Sequence, residues 1–314
     1  MNLFVSFKYL LALDEQRHFG RAALACHVTQ PALSNALRAL EESLGVAIVT
    51  RGRTFAGFTT EGERVLGTAR RILREHELLQ QELQSSANSP SGPLRIGAVP
   101  MCLPVAARFV GMLHDRFPGI ECTLRSMSSS ELESGLENMA LDMAMGYPER
   151  LEGTRAPLRV VPQYTEHYFL LRRAKEPSHL GLQKGPSATW AEAATLPLCL
   201  LTGEMHNRTI VDNAFLTAGH LPRPAIETNS IITLALSVVA GRVSSIMPSA
   251  LVDAVKGYGE LEALPLIDPF IEVPIALMVH DSNRLSRTLE AALDFAQNPE
   301  WLKLALQHGK LFGA

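Results

Sequence analysis

The chain has 314 residues, 46% hydrophobic and 19% charged, a globular composition that excludes a disordered segment, a collagen-like repeat and a coiled-coil rod. This length predicts two or three compact units. The net charge of -3 gives no sign of a nucleic-acid partner: residues 1–84 carry 10 basic against 9 acidic groups, and the remainder 19 against 23. Basic groups that contact DNA would therefore have to be concentrated on one face of the N-terminal part.

Targeting signals and metal motifs are not evident. The weakly charged stretch 2–13 contains Lys8, is too short to cross a bilayer and lacks a cleavage site, which predicts a cytoplasmic protein without a membrane partner. The cysteines form no CxxC pair, so we expect reduced thiols, no disulfide framework, no metal and no cofactor. They are Cys26, Cys102, Cys122 and Cys199.

Helical signals come first along the chain. Apolar spacing predicts helices over 4–13 and 18–26, and a third helix that is capped by Thr29 and ended by Gly45. The apolar stripe of this third helix is Leu33, Leu37, Leu40 and Leu44.

The opposite face of the third helix carries Gln30, Ser34 and Arg38, each four residues apart. Two short helices with such a polar face are typical of a helix-turn-helix, in which Gln30 can bond adenine and Arg38 can bond guanine or phosphate. A merely solvated face of an amphipathic helix explains the periodicity equally well.

Two short strands, 46–49 and 57–59, are predicted around an arginine-containing loop and form a small wing. Thr60 and Glu63 then match a capping box that opens a helix to about Leu83. Its apolar seam requires a partner helix, or packing within its own chain. The seam residues are Val65, Ala69, Ile72, His76, Leu79 and Leu83.

A hinge rich in Ser, Pro and Gly follows at 85–93, and from Leu94 strands alternate with helices. This alternation predicts two α/β lobes with parallel sheets, joined by crossing strands that leave a cleft. The predicted strands lie at 94–99, 121–126, 141–147, 168–171, 196–201, 225–228, 244–247 and 274–279.

The runs FGRAALACHVTQPALSNALRALEESLGVAIVTR and FTTEGERVLGTARRIL resemble the N-terminal domain of LysR-type transcriptional regulators. The resemblance implies an N-terminal all-α winged helix-turn-helix domain and a two-lobed α/β domain like the periplasmic binding proteins. The implied boundaries are 1–60 for the DNA-binding domain, 61–84 for a dimerisation helix, 85–93 for the hinge and 94–314 for the effector domain. Within the latter, lobe I covers about 94–162 and 268–314, and lobe II about 163–267.

The same resemblance implies double-stranded operator DNA with an inverted repeat, RNA polymerase, and a homodimer that assembles into a homotetramer as partners. Where the family has Gly-Ser-Phe, this chain has Arg17, His18 and Phe19, which alters a phosphate contact or a helix cap. The implied DNA-facing residues are Thr29, Gln30, Pro31, Ser34, Asn35, Arg38, Arg51 and Arg53.

The resemblance also implies a small effector between the lobes. Hydroxyl and N–H groups at helix N-termini favour an anion, although the serines equally fit caps of the helix near Glu131. The implied effector-contacting residues are Pro100, Met101, Cys102, Ser128, Ser129, Thr202, His206, Asn207 and Asn229.

Catalytic motifs such as GxSxG, HExxH and GxxxxGK[ST] are absent from the sequence, so we expect a regulator and not an enzyme. Peroxide-sensing members of the family carry a reactive cysteine near the position of His206, and Cys199 lies in an apolar strand, which disfavours redox sensing. The chain is also similar to regulators found beside formate dehydrogenase operons.

Overall fold

A computed structural model describes residues 2–50, 52, 55–84, 89–150, 157–281 and 284–309. The chain divides into two compact units, the first formed mainly by Met1–Ala87 and the second by Asn88–Glu137 with Leu141–Ala314. Among the described residues, no helix combines the length and the apolar character needed to cross a membrane.

The N-terminal unit is helical, as predicted. Its helices are α1 (Leu3–Gln16), α2 (Phe19–Ala25), α3 (Gln30–Leu44) and α4 (Thr60–Gln84). Helix α3 has the predicted ends: the Thr29 hydroxyl accepts the Ala32 N–H at 3.3 Å, and Gly45 adopts a left-handed φ of 68°. The predicted stripe is buried except for Leu44, which is exposed at the last position of the helix.

The cap of α2 shows what the departure at residues 17–19 does. His18 Nδ1 accepts the backbone N–H groups of Gly20 and Arg21 at 3.0 and 3.3 Å. This is the role that a serine hydroxyl plays at a helix N-terminus. The cap of α2 is therefore retained with an imidazole nitrogen as the acceptor.

The two predicted wing segments pair, but more briefly than a regular hairpin. The described residues form one antiparallel bridge, between Val49 and Phe58, flanked by backbone bonds from Thr50 N to Gly57 O and from Thr59 N to Ile48 O, both 2.9 Å. Glu41 of α3 adds a second support, because its carboxylate accepts the N–H groups of Ile48 and Val49 at 2.7 and 3.0 Å. Arg51 and Arg53 lie outside the described residues.

The predicted capping box at Thr60 was wrong by one residue. The Thr59 hydroxyl accepts the Gly62 N–H at 2.9 Å, and Thr60 is already the first residue of α4. Two adjacent threonines precede the apolar run, and the sequence alone does not show which of them keeps an extended backbone.

The seam of α4 divides into two parts. Leu66 and Ala69 are buried, and Val65 and Ile72 pack against the core of their own unit. Towards the end of the helix, Leu79 and Leu83 are 48% and 77% exposed. Packing within the chain therefore accounts for Val65, Ala69 and Ile72 of the seam but not for Leu79 and Leu83, although Leu78 beside them is buried.

The second unit is α/β. Its strands are β1 (Gly92–Ala98), β2 (Ile120–Ser126), β3 (Met143–Gly146), β4 (Leu158–Arg173), β5 (Gln183–Lys184), β6 (Ala188–Thr189), β7 (Leu198–Leu201), β8 (Ile226–Thr228), β9 (Ser244–Pro248), β10 (Leu261–Ile267) and β11 (Glu272–His280). Its helices are α5 (Leu103–Arg116), α6 (Ser129–Glu137), α7 (Trp190–Ala194), α8 (His206–Thr217), α9 (Ile231–Ala240), α10 (Ser249–Ala254), α11 (Arg287–Ala296) and α12 (Pro299–Gly309). Single 3-10 turns occupy Pro100–Cys102 and Pro148–Arg150.

The sheet order is β2-β1-β3-β11-β4-β9-β7-β8, with β10 also on β4 and with β5 and β6 on β10. Strand β1 is parallel to β2 and β3, and β7 is parallel to β8 and β9, which gives each lobe the predicted parallel core. Strand β4 runs antiparallel to β11, β9 and β10 and crosses between the lobes. The sequence analysis did not predict β10 or α12.

Aromatic packing anchors α12 to lobe I. The Phe109 ring centroid lies 5.0 Å from that of Trp301 and 5.4 Å from that of Phe295. The indole Nε1 of Trp301 donates to the buried Gln163 Oε1 of β4 at 2.6 Å, which satisfies both polar groups. The terminal helix therefore closes the core beside the crossing strand.

Candidate nucleic-acid interface and interlobe cavity

The polar face of α3 is open to solvent. Gln30, Ser34 and Arg38 lie on one stripe, and Ser34 is half-buried while the other two are exposed. The remaining predicted residues on this element, Thr29, Pro31 and Asn35, are also exposed. Arg38 has no ion pair within the part of the chain that the structure describes, so its guanidinium is available to a base or a phosphate.

Arg17 is a cation that the sequence analysis did not include in the DNA-facing set. Its guanidinium lies 5.9 and 5.7 Å from the ring centroids of Phe55 and Phe58, and it pairs with Asp14 at 2.9 Å. Aromatic contacts of this kind hold a cation in place while leaving it exposed. No sequence signal links Arg17 to residues almost forty positions away.

A small cavity of about 20 Å³, partly open to solvent, lies between the two lobes. It sits beyond the carboxyl ends of β1, β2, β3 and β7, the edge where open α/β sheets bind ligands. Its lining residues are Val99, Pro100, Met101, Ser128, Ser129, Tyr147, Leu201, Met205, His206 and Asn207.

Three of the predicted effector residues do not line this cavity. Cys102 is buried and in hydrogen-bond contact with Tyr164. The Thr202 hydroxyl donates to Glu204 at 2.7 Å, and Asn229 is exposed between β8 and α9. The cavity brings together the other six, which are Pro100, Met101, Ser128, Ser129, His206 and Asn207.

Four lining residues were missed, namely Val99, Tyr147, Leu201 and Met205. Three of them are apolar side chains that look like ordinary core in the sequence. Tyr147 follows β3 and packs its ring edge-on against His206, with centroids 4.8 Å apart. Its position at the carboxyl end of a parallel strand was the one signal that indicated a site.

The two cavity serines have different roles. Ser128 and Glu131 form a reciprocal cap of α6: the Glu131 N–H donates to Ser128 Oγ at 3.3 Å, and the Ser128 N–H donates to the Glu131 carboxylate at 2.7 Å. Ser129 Oγ is buried without a hydrogen-bond partner in the described structure. The cap alternative therefore applies to Ser128, whereas the Ser129 hydroxyl is available to a ligand.

His206 and Asn207 begin α8, whose cap Met205 has no side-chain hydrogen bond. His206 Nε2 is buried without a hydrogen-bond partner and lies 3.7 Å from Glu149 Oε1. Burial, together with Arg150, lowers the pKa of His206 against the opposing effect of Glu149, so the imidazole is neutral at pH 7. The Asn207 amide donates to the Tyr168 hydroxyl at 2.7 Å.

The cysteines have the properties of inert thiols. Burial raises the pKa of Cys102 well above its usual range, with a further contribution from Glu166, and burial also raises the pKa of Cys26, Cys122 and Cys199. Reactive cysteines have a lowered pKa instead. Among the described residues, no group of three or more His, Cys, Asp or Glu side chains is placed to hold a metal.

A helix-turn-helix with an open polar face, followed by two α/β lobes around a cavity, defines a DNA-binding regulator with an effector domain. Two family models agree: residues 4–63 match the bacterial regulatory helix-turn-helix protein, lysR family, and residues 87–299 match the LysR substrate binding domain. The chain belongs to the LysR family of DNA-binding transcriptional regulators, as the TQPALS motif predicted.

Similar proteins are regulators. The DNA-binding transcriptional dual regulator OxyR of Escherichia coli K12 is 29% identical over 90% of this chain and 91% of its own, and the hydrogen peroxide-inducible genes activator of Haemophilus influenzae is 30% identical over 91% and 95%. The fold matches that of full-length OxyR C199D from Pseudomonas aeruginosa with a TM-score of 0.69 and 24% identity, over 94% of this chain and 97% of that chain. It also matches that of full-length CbnR complexed with the target DNA with a TM-score of 0.64 and 21% identity, over 94% of this chain and 98% of that chain. The prediction of a regulator and not an enzyme is confirmed by these relatives.

Substitution of the two cavity serines should affect the stability of the fold differently. Ser128→Ala removes the cap of α6 and should lower the free energy of unfolding by about 1 kcal/mol. Ser129→Ala removes an unpartnered buried hydroxyl and should leave that free energy unchanged or slightly higher. Urea denaturation followed by tryptophan fluorescence checks this, because Trp190 and Trp301, the two tryptophans of the chain, both lie in the second unit. Equal destabilisation by both substitutions would contradict the assignment.

Proposed function

We propose that this LysR-family regulator binds an inverted-repeat operator as a homodimer or homotetramer, contacts RNA polymerase, and changes activity when a small anion occupies the interlobe cavity. The observation that carries the effector part is the pair of buried polar atoms without a hydrogen-bond partner in the described structure, Ser129 Oγ and His206 Nε2, in one cavity. The proposal places the protein in the cytoplasm, where operator DNA lies.

Recognition of bases is assigned to α3. Gln30, Ser34 and Arg38 repeat every four residues, so their side chains follow one line along a helix of major-groove dimensions. Thr29 is engaged as the cap but keeps its hydroxyl proton as a donor to phosphate. Pro31, Asn35 and the wing arginines Arg51 and Arg53 complete the proposed contact set, and Arg17 adds a cation beside it.

Arg38→Ala tests base recognition. If Arg38 reads a base pair, its loss should cost about 1–3 kcal/mol on the preferred operator and relax discrimination at one position. The measurement is fluorescence anisotropy on a duplex enriched from random sequence and on single-base variants. The matched control is Arg64→Ala, which removes an exposed cation from α4 and should leave discrimination unchanged. Failure of the random selection to enrich any motif would contradict the DNA-binding proposal.

Dimerisation is assigned to the exposed part of α4. Leu79 and Leu83 are exposed, and Leu3 and Phe4 of α1 are exposed in the same unit, where Phe4 contacts His76 of α4 at a centroid distance of 5.3 Å. Apolar side chains one helical turn apart are the usual seam of a helix pair. Ile72 is unsuitable as a test position because it packs against its own core.

Leu83→Glu therefore tests the dimer. Burying an unpaired carboxylate in the seam should dissociate the subunits and remove binding to paired half-sites, while single half-site binding persists. Sedimentation velocity gives the mass, and Leu83→Met is the control that keeps an apolar side chain. An unchanged mass for Leu83→Glu would show that this part of α4 does not hold the subunits together.

The chemistry of the cavity favours a small singly charged anion. Ser129 Oγ, His206 Nε2 and the free N–H groups at the start of α8 are donors, while no lysine or arginine is among the lining residues. Val99, Leu201 and Met205 give the cavity an apolar side. Hydrogen bonds from neutral groups and a helix N-terminus stabilise one negative charge better than two.

Relatives of this chain include a hydrogen peroxide-inducible genes activator, but we do not propose peroxide as the signal for this protein. Each of the four cysteines of this chain has a pKa raised by burial, so the thiolate that peroxide chemistry needs is suppressed. The cavity position of His206 therefore carries a neutral imidazole, where a peroxide sensor would need a thiol.

A melting screen of the full chain tests the effector. A ligand at one hundred times its Kd should stabilise the effector domain by about 2.7 kcal/mol. The panel is formate, acetate, benzoate, succinate, chloride, phosphate, glucose and hydrogen peroxide, and Ser129→Ala is the matched variant that should lose the shift. A shift with glucose only, or a peroxide response that tracks oxidation of a cysteine, would overturn the anion proposal while leaving DNA binding intact.

A further inference from the structure

Glu166 is a completely buried carboxyl group on the strand that joins the lobes. Up to His167, β4 pairs with β11 of lobe I, and from Tyr168 onwards it pairs with β9 and β10 of lobe II. Glu166 therefore lies two residues from the point where the chain passes from one lobe to the other. Any change in the angle between the lobes bends the backbone at this place.

Among the described residues, the carboxyl group has a single hydrogen-bond partner. The Tyr164 hydroxyl donates to Glu166 Oε1 at 3.2 Å, and Oε2 is buried without a partner in the described structure. An ionised carboxylate carries acceptor sites for about four donors, so one hydroxyl leaves most of its charge uncompensated.

The titratable groups that face Glu166 are neutral. Cys102 comes from the turn before α5, Tyr147 from the end of β3, and Tyr164 and Tyr168 from β4 itself. Helix α8 contributes the neutral Asn207 amide to Tyr168, β11 places Val273 opposite Glu166, and the negative Glu149 also acts on Tyr168. Within the described residues, no cation acts on Glu166.

Burial raises the pKa of Glu166 to about 8, against a small opposing effect of the Tyr164 hydroxyl. At pH 7 the group is therefore mainly a neutral carboxylic acid. The groups that interact with it come from both lobes, Cys102 and Tyr147 from lobe I and Tyr168, bonded to Asn207, from lobe II, so separation of the lobes at the crossing would admit water.

We propose that Glu166 is a proton-dependent positioning residue of the hinge: the closed lobes hold its carboxyl group protonated, and opening at β4 hydrates and ionises it. The proposal goes beyond effector binding, since it concerns the hinge whether or not a ligand is present. An effector that requires closed lobes then binds together with one proton.

The direction of the pH dependence follows from the linkage between proton binding and opening of the lobes. The closed form has the higher pKa, so between the ordinary value of 4.5 and about 8 it binds more protons than an open, hydrated form. Opening is therefore rarest at low pH, becomes up to about tenfold more frequent with each pH unit in this window, and levels off above pH 8.

Hydrogen exchange of the full chain measures this opening. Wild type and Glu166→Gln are compared at pH 5.5 and 7.5 on peptides covering residues 160–170, because a comparison at one pH cancels the intrinsic pH dependence of exchange. The wild-type rate divided by the Glu166→Gln rate should rise at least tenfold, and up to about one-hundredfold, between the two pH values. Glu121→Gln, an exposed carboxylate on β2, is the control whose ratio to wild type should not change.

A ratio that is the same at both pH values overturns the proposal. So does an equal rise in peptides from α11 and α12, because that would report unfolding of the whole unit and not opening of the hinge. Should Glu166→Gln fail to fold, the wild-type protection of β4 amides, corrected for intrinsic exchange, must still fall from pH 5.5 to 7.5 by more than that of α11. If the difference in protection between β4 and α11 is the same at both pH values, the inference is refuted as well.

Discussion

The fold depends on one constraint: strand β4, sixteen residues long, has to be hydrogen-bonded along its whole length while it serves two lobes. A buried strand cannot leave its backbone groups unpaired, so β11 pairs with its first part and β9 and β10 with its last. The lobes are thereby fixed at a common strand, and the strand ends of both converge on the same side. The interlobe cavity is a consequence of this pairing.

Polar side chains inside the second unit fall into two classes. Some are satisfied: Gln163 accepts from Trp301, and Ser245 donates to the Cys199 carbonyl at 2.8 Å. Others have a buried atom without a partner in the described structure: Ser129 Oγ, His206 Nε2 and Glu166 Oε2 at the cavity and the crossing, and also His167 Nδ1, Ser249 Oγ and His280 Nδ1. A buried polar atom without a partner costs about 1–3 kcal/mol. At the cavity and the crossing, the proposed binding of a ligand or a proton would offset that cost.

Local features were predictable from the sequence and long-range features were not. The ends of α3 followed from Thr29 and Gly45, because caps act within one turn. The pairing of the two wing segments was predictable, whereas the contact of Glu41 in the preceding helix with the Ile48 N–H was not. Tyr147 and Glu166 were missed because their environment comes from the order of strands in the sheet, which brings residues 102, 147 and 207 towards the crossing. Hydrophobic periodicity carries no information about that order.

Helix α4 illustrates how one periodic pattern serves two packing tasks. Leu66 and Ala69 are buried in the helix-turn-helix core, and Arg70 pairs with Asp14 of α1, so the first three turns are fixed relative to α3. Leu79 and Leu83, about 20 Å further along at 1.5 Å per residue, remain open. In the proposed dimer these residues pack against the partner. The spacing between two operator half-sites would then depend on the length of α4 between its two packed parts, because α3 and the start of α4 share one buried core.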